Sequence, residues 1–206
     1  RVLARSLAVL ALLAPVAGIG LLRLDGKRRD AAAAQVSTGV PIPVAPSGWR
    51  TVWQDDFRAP TPDPNRWFIY SGEPDDGPGA WWEPSHVTVS NGLLRLRGTA
   101  ESVRGGQLVT GGLNSSVGDN STMGRYLVRM RVDAAQDVAF AVLLVTPQGR
   151  PGNYVVLASD DGGDRQLITG GVKGRSLSGA PIAVTKSTRF DLTQWHTVGV
   201  DWSPGR

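Results

Sequence analysis

From Trp49 onward apolar and polar residues alternate with a period of two, and no stretch carries an apolar stripe of helical period over three turns. Alternation sends successive side chains to opposite faces of a strand, so a chain patterned in this way folds as sheets with one buried face. GRYLVRMRVD (124–133) sets Tyr126, Val128, Met130 and Val132 against Leu127, Arg129, Arg131 and Asp133, one face apolar and the other mostly charged. HVTVS (86–90) and LLRLRG (93–98) flank Asn91-Gly92, a two-residue hairpin signal because both residues tolerate positive φ. VAFAVLLV (138–145) and YVVLA (154–158) are more continuously apolar and suit inner strands, whereas HTVGVDW (196–202) alternates again. Many short strands separated by Gly and Pro turns predict an all-β chain of two packed antiparallel sheets.

The N-terminal part is different. Ser6 to Leu22 is free of charge and is preceded by Arg1 and Arg5, while RLDGKRR (23–29) follows it. Its seventeen residues fall between a signal-peptide core and a spanning helix of about 20 residues, so residues 1–30 read as a cleaved export signal or a retained membrane anchor with a basic flank. Either reading implies an extracellular or cell-surface protein. Residues 31–48, rich in Ala and Pro and without charge, cannot bury enough apolar surface to fold alone and read as a linker. The folded domain is expected over 49–206.

Charge and composition exclude several functions. The net charge is +4, but six basic and two acidic residues lie in the first thirty, and removing them from 22 and 18 leaves 16 of each sign. A neutral domain with scattered Arg lacks the concentrated positive surface from which nucleic-acid affinity comes. With no Cys there are neither disulfides nor thiolate chemistry, and His86 and His196 are too few for a His-built metal site. No cofactor fingerprint is present. DNS (119–121) and DGGD (161–164) resemble pieces of calcium loops without EF-hand spacing, which leaves a structural calcium ion open.

Seven blocks in order carry a resemblance: VWQDDF (52–57), DPNRW (63–67), HVTVSNGLLRLRG (86–98), TGGLNSS (110–116), MGRYLVRMRV (123–132), FAVLLVTP (140–147) and FDLTQWHTVGVDWSPGR (190–206). Together they resemble glycoside hydrolase family 16, the laminarinase and lichenase-like enzymes. The resemblance implies a β-jelly-roll sandwich of the concanavalin A-like lectin/glucanase type, with a cleft on its concave sheet for β-glucans, galactans or related polysaccharides. It also implies that more strands follow the last block, so 49–206 reads as incomplete at its C-terminus.

Family 16 chemistry needs a carboxylate nucleophile and a carboxyl acid/base about 5–5.5 Å apart. The resemblance places them on one strand as Glu-x-Asp-x-x-Glu, and a bulge must realign the last Glu, because positions five apart otherwise face opposite sides. By position in the chain, Asn153, Val155 and Ala158 fall where the three acids belong. None is acidic, and no Asp or Glu occurs between Asp137 and Asp160. Asp160 and Asp161 are the alternative acids, reaching in from a loop. Trp81, Trp82, Asn114 and Arg125 are candidates for holding sugar, and Thr146 stands where many relatives carry a stacking Trp. The reading is a degenerate family 16-like domain, a carbohydrate-binding or structural module. The alternative is an active endo-acting glycosidase cleaving β-glucan or galactan.

Overall fold

The computed structural model describes residues 6–13, 45, 47–74, 79–101, 105–115, 124–145, 153–176 and 178–202. Thr146, the 119–121 loop and most of residues 1–48 lie outside the described residues. The strands are β1 (Ser6–Leu13), β2 (Trp67–Ile69), β3 (Ala80–Trp82), β4 (Val87–Ser90), β5 (Leu93–Leu96), β6 (Gly98–Glu101) and β7 (Gln107–Thr110). They continue with β8 (Leu113–Ser115), β9 (Gly124–Met130), β10 (Val138–Val145), β11 (Tyr154–Asp160), β12 (Leu167–Arg175), β13 (Pro181–Arg189) and β14 (His196–Trp202). One 3-10 turn, Pro84–His86, precedes β4, and no α-helix occurs among the described residues.

The hairpin forms where its turn residues stand. β4 and β5 pair antiparallel across Asn91 and Gly92, whose φ angles of 53° and 68° match the right-handed twist of the flanking strands. A seven-stranded sheet runs in the order β13-β12-β11-β10-β1-β8-β2, and β14 pairs antiparallel with β9 in a separate ribbon. These two layers enclose the main core. Alternation on β10 turns Phe140, Val142 and Leu144 inward, where they meet Ala158, Ile168, Leu192 and Val198, with Tyr126, Val128 and Met130 closing the other side. Each fully buried large apolar side chain contributes roughly 1.5–3 kcal/mol. A second cluster joins the far end of the sheet to the hairpin. Trp67, Val87 and Leu113 are buried there, with Trp53, Phe57, Ile69, Leu94 and Leu96 against them. The Trp67 indole N–H donates to Asp55 over 2.8 Å, which satisfies the one polar atom that this ring brings into the core.

The all-β sandwich expected from the alternation is what the chain forms. The segment read as a leader or anchor is represented by Ser6–Leu13, which lies in the sheet as a strand parallel to both β10 and β8. Among the described residues no helix is long and apolar enough to cross a membrane.

Candidate functional site

β11 departs from simple alternation. Tyr154, Val155 and Val156 pair with Val145, Leu144 and Leu143 of β10, but Ala158 and Ser159 pair with Val142 and Ala141, which leaves Leu157 as an extra residue. The same strand shifts register against β12 between Val156 and Ser159. Leu157 and Ala158, adjacent in sequence, both belong to the core, as only a bulge allows. Residues opposite each other in an antiparallel pair share a face, so Val155, across from Leu144, is turned inward and packs against the core. The positions turned away from the main core are therefore Tyr154, Val156 and Ser159, spaced i, i+2, i+5, of which Val156 is itself buried and the other two are half-buried.

Asn153, Val155 and Ala158, the positions expected from the sequence, lie one residue before these. Ala158 is fully buried, Val155 lines the core, and Asn153 lies just before β11, where its side-chain oxygen accepts the Arg175 backbone N–H over 2.9 Å. Val155 and Ala158 thus face the core. The bulge that the catalytic spacing needs is nevertheless present, under Tyr, Val and Ser. The Ser159 hydroxyl reaches the Thr169 carbonyl at 3.4 Å.

The alternative acids lie at and just beyond the end of β11. Asp160 pairs with Phe140, a core residue, and its carboxylate is bound by Arg165. Arg165 also donates to the carbonyls of Asp133 and Val138, at 3.0 and 2.6 Å, and lies over the Phe140 ring. With every direction of its guanidinium engaged, Arg165 fixes Asp160 in a structural role. Asp161 is exposed at the turn that follows, outside the bulged strand. Asp160 is the only carboxylate on β8, β10, β11 and β12. No three or more His, Cys, Asp or Glu side chains among the described residues gather to hold a metal ion.

The same face of the sheet carries an aromatic row. Phe68 pairs with Asn114, between Trp67 and Ile69 that turn toward the second core, so Phe68 and Asn114 face away from it. Through Ala11 the register continues from Asn114 to Leu143 and on to Val156, which places Asn114 and the bulged triplet on one face, about 14 Å apart across three strand spacings. Phe68, 58% exposed, meets Tyr70 edge-on at 6.0 Å, and Tyr70 meets Trp82 at 5.4 Å. Gly112 permits this approach, since a Cβ there would stand 2.6 Å from the Trp82 ring and 2.7 Å from Tyr70. Burial raises the Tyr70 phenol pKa above its ordinary value, and a hydrogen bond with Asn114 pulls it the other way. The Asn114 side-chain oxygen is buried without a partner.

Of the sugar-binding candidates, Trp82 and Asn114 come together around Tyr70. Trp81, the residue before Trp82 on β3, points to the opposite face by alternation and pairs with the fully buried Val109. Arg125 is far from them. It sits on β9 with its side chain opposite to the core-facing Tyr126, bound to Asp201 and stacked over Trp49. The sequence reading did not single out Phe68, Tyr70 or Gly112; Phe-x-Tyr at period two was a readable signal, but its meeting with Gly112 is made only by the fold. His86 and His196 are structural: the first bonds Glu101 at 2.9 Å and the second the Asp191 carbonyl at 2.9 Å.

No protein-family description matches the sequence, and no curated protein is significantly similar to it. Solved structures are similar in fold. The laminarinase catalytic domain of Thermotoga maritima superposes with a TM-score of 0.60 at 17% identity, over 76% of this chain and 71% of that one. The endo-β-1,3-glucanase of Pyrococcus furiosus gives 0.57 at 17% identity, over 76% and 68%. A family 16 endo-glucanase of Bacteroides ovatus gives 0.55 at 14% identity, over 74% and 71%. The chain therefore has the fold of the laminarinase and glucanase sandwiches.

Proposed function

We propose that this sandwich is an extracellular or cell-surface module that binds neutral polysaccharide and lacks the retaining glycosidase chemistry that the fold supports elsewhere. One observation carries the reading. The bulged strand turns Tyr154, Val156 and Ser159 away from the main core at i, i+2, i+5, the spacing that a nucleophile, a tuning Asp and an acid/base would need, and none of the three is acidic. A phenol, an isopropyl group and a hydroxyl do not replace a paired carboxylate nucleophile and acid, and the loss of positioned acid-base catalysis alone removes about 10²–10⁴-fold in rate. Binding asks for less. An aromatic row of exposed Phe68 and half-buried Tyr70 and Trp82 offers apolar faces to pyranose rings.

The competing reading, an endo-acting glycosidase of β-glucan or galactan, draws support from the glucanase neighbours in fold. One experiment separates the two. The protein is run in gels containing soluble β-1,3-glucan or galactan, with assay of the released reducing ends. Retardation without new reducing ends is expected, weakened by Trp82→Ala and unaffected by Trp195→Ala, since Trp195 lies beside Arg131 on the other layer. Steady release of reducing ends overturns the proposal in favour of the enzyme, and the absence of retardation across the panel overturns sugar binding.

A further inference from the structure

The seven-stranded sheet is held together at its middle by a segment from the other end of the chain. β8 and β10 run parallel to each other without pairing, and Ser6–Leu13 lies between them, in register from Ser6 opposite Val138 to Leu13 opposite Val145, and from Leu10 to Leu12 against Leu113 to Ser115. The walls of this slot are among the most buried parts of the molecule: Leu113 and Ser115 on one side, Ala139 to Val142 and Leu144 on the other. With the segment in place the backbone edges of both walls are paired, and an empty slot would leave two unpaired strand edges. The segment that fills it comes from the charge-free run of residues 6–22, the kind of sequence that enters such a site without carrying a charge into it.

The direction of the strand is informative. Every other neighbouring pair in this sheet, β2 with β8, β10 with β11, β11 with β12 and β12 with β13, is antiparallel. Only the two pairs made by Ser6–Leu13 are parallel, the arrangement that holds slightly less firmly per residue. We propose that the space between β8 and β10 is a strand-acceptor site, which the chain fills with its own Ser6–Leu13 and which stays exchangeable because that strand enters in the weaker direction. A segment held in this way is withdrawn from a lipid bilayer, so the same residues cannot complete the sheet and sit in a membrane at once.

Amide hydrogen exchange on the full 206-residue chain tests this directly. The amides of residues 7–13 are expected to be slowed about 100-fold or more relative to free chain, alongside those of 139–144. Free exchange over 7–13 beside a protected β10 overturns the proposal. Leu10→Pro supplies the second arm, because it removes a donor in the middle of the strand. It is expected to release protection in both β8 and β10, and a synthetic peptide of the sequence SLAVLALL added in trans is expected to restore it. Unchanged protection in the variant, or a peptide that restores nothing, overturns the acceptor site.

Discussion

Arg165 and Asp160 form an ion pair at the rim of the main core, with 1% and 8% of their side chains exposed. Their bond ties the start of β12 to the end of β11 across the Gly162-Gly163 turn, and Ala135 pairs with Gly163 beside it. A charge so placed is stable only while its partner remains. Arg165→Met is expected to destabilise the fold by about 3–5 kcal/mol, since it strands the buried Asp160 carboxylate and also frees the Asp133 and Val138 carbonyls. The double variant with Asp160→Asn should recover part of that loss. Urea unfolding of the three proteins measures both.

Replacing residues at the two registers distinguishes them. Tyr154→Glu and Ser159→Glu together, at half-buried positions turned away from the main core, should leave a folded sandwich and raise turnover of an activated aryl β-glucoside above that of the natural chain. Acids at Val155 and Ala158 should prevent folding, because both side chains pack in the core and an unpaired buried carboxylate costs several kcal/mol. Thermal melts followed by circular dichroism, with the glycoside assay, report both outcomes.

Gly112→Ala is expected to force Tyr70 and Trp82 apart, at about 1–3 kcal/mol for the added methyl group. Glucan retardation should weaken in this variant. The Tyr70 phenol should also titrate nearer to its ordinary value as burial of the ring is relaxed, which absorbance titration of the phenolate reads independently of sugar.

Acid sensitivity should trace in part to Asp191, whose carboxyl is held below the usual range chiefly by the hydrogen bond from the Thr193 hydroxyl. A carboxyl pKa lowered by folding means that its stabilisation is complete above the unfolded value, near 3.9, and disappears as pH falls through the folded value. Thr193→Ala should therefore lower stability at pH 7 and flatten its decline between about pH 4 and pH 2. Denaturant midpoints across that range test the sign.

Alternation in residues 124–133 and 196–202, and the Asn91-Gly92 turn, determined the all-β sandwich before any coordinate was known, because side-chain period and positive φ are local properties. The absence of acids from 138–159 was equally plain in the sequence. Which face of β11 looks inward was not. Tyr154/Val156 and Val155/Leu157 are both apolar, so β11 reads alike in either register, and only its pairing with Leu143 and Leu144 decided which face looks inward. The meeting of Trp82, Tyr70 and Asn114, the separation of Arg125 from them, and the insertion of Ser6–Leu13 between β8 and β10 join residues remote in sequence. They are set by which strands find each other, and a periodicity written along one segment holds no record of its partner.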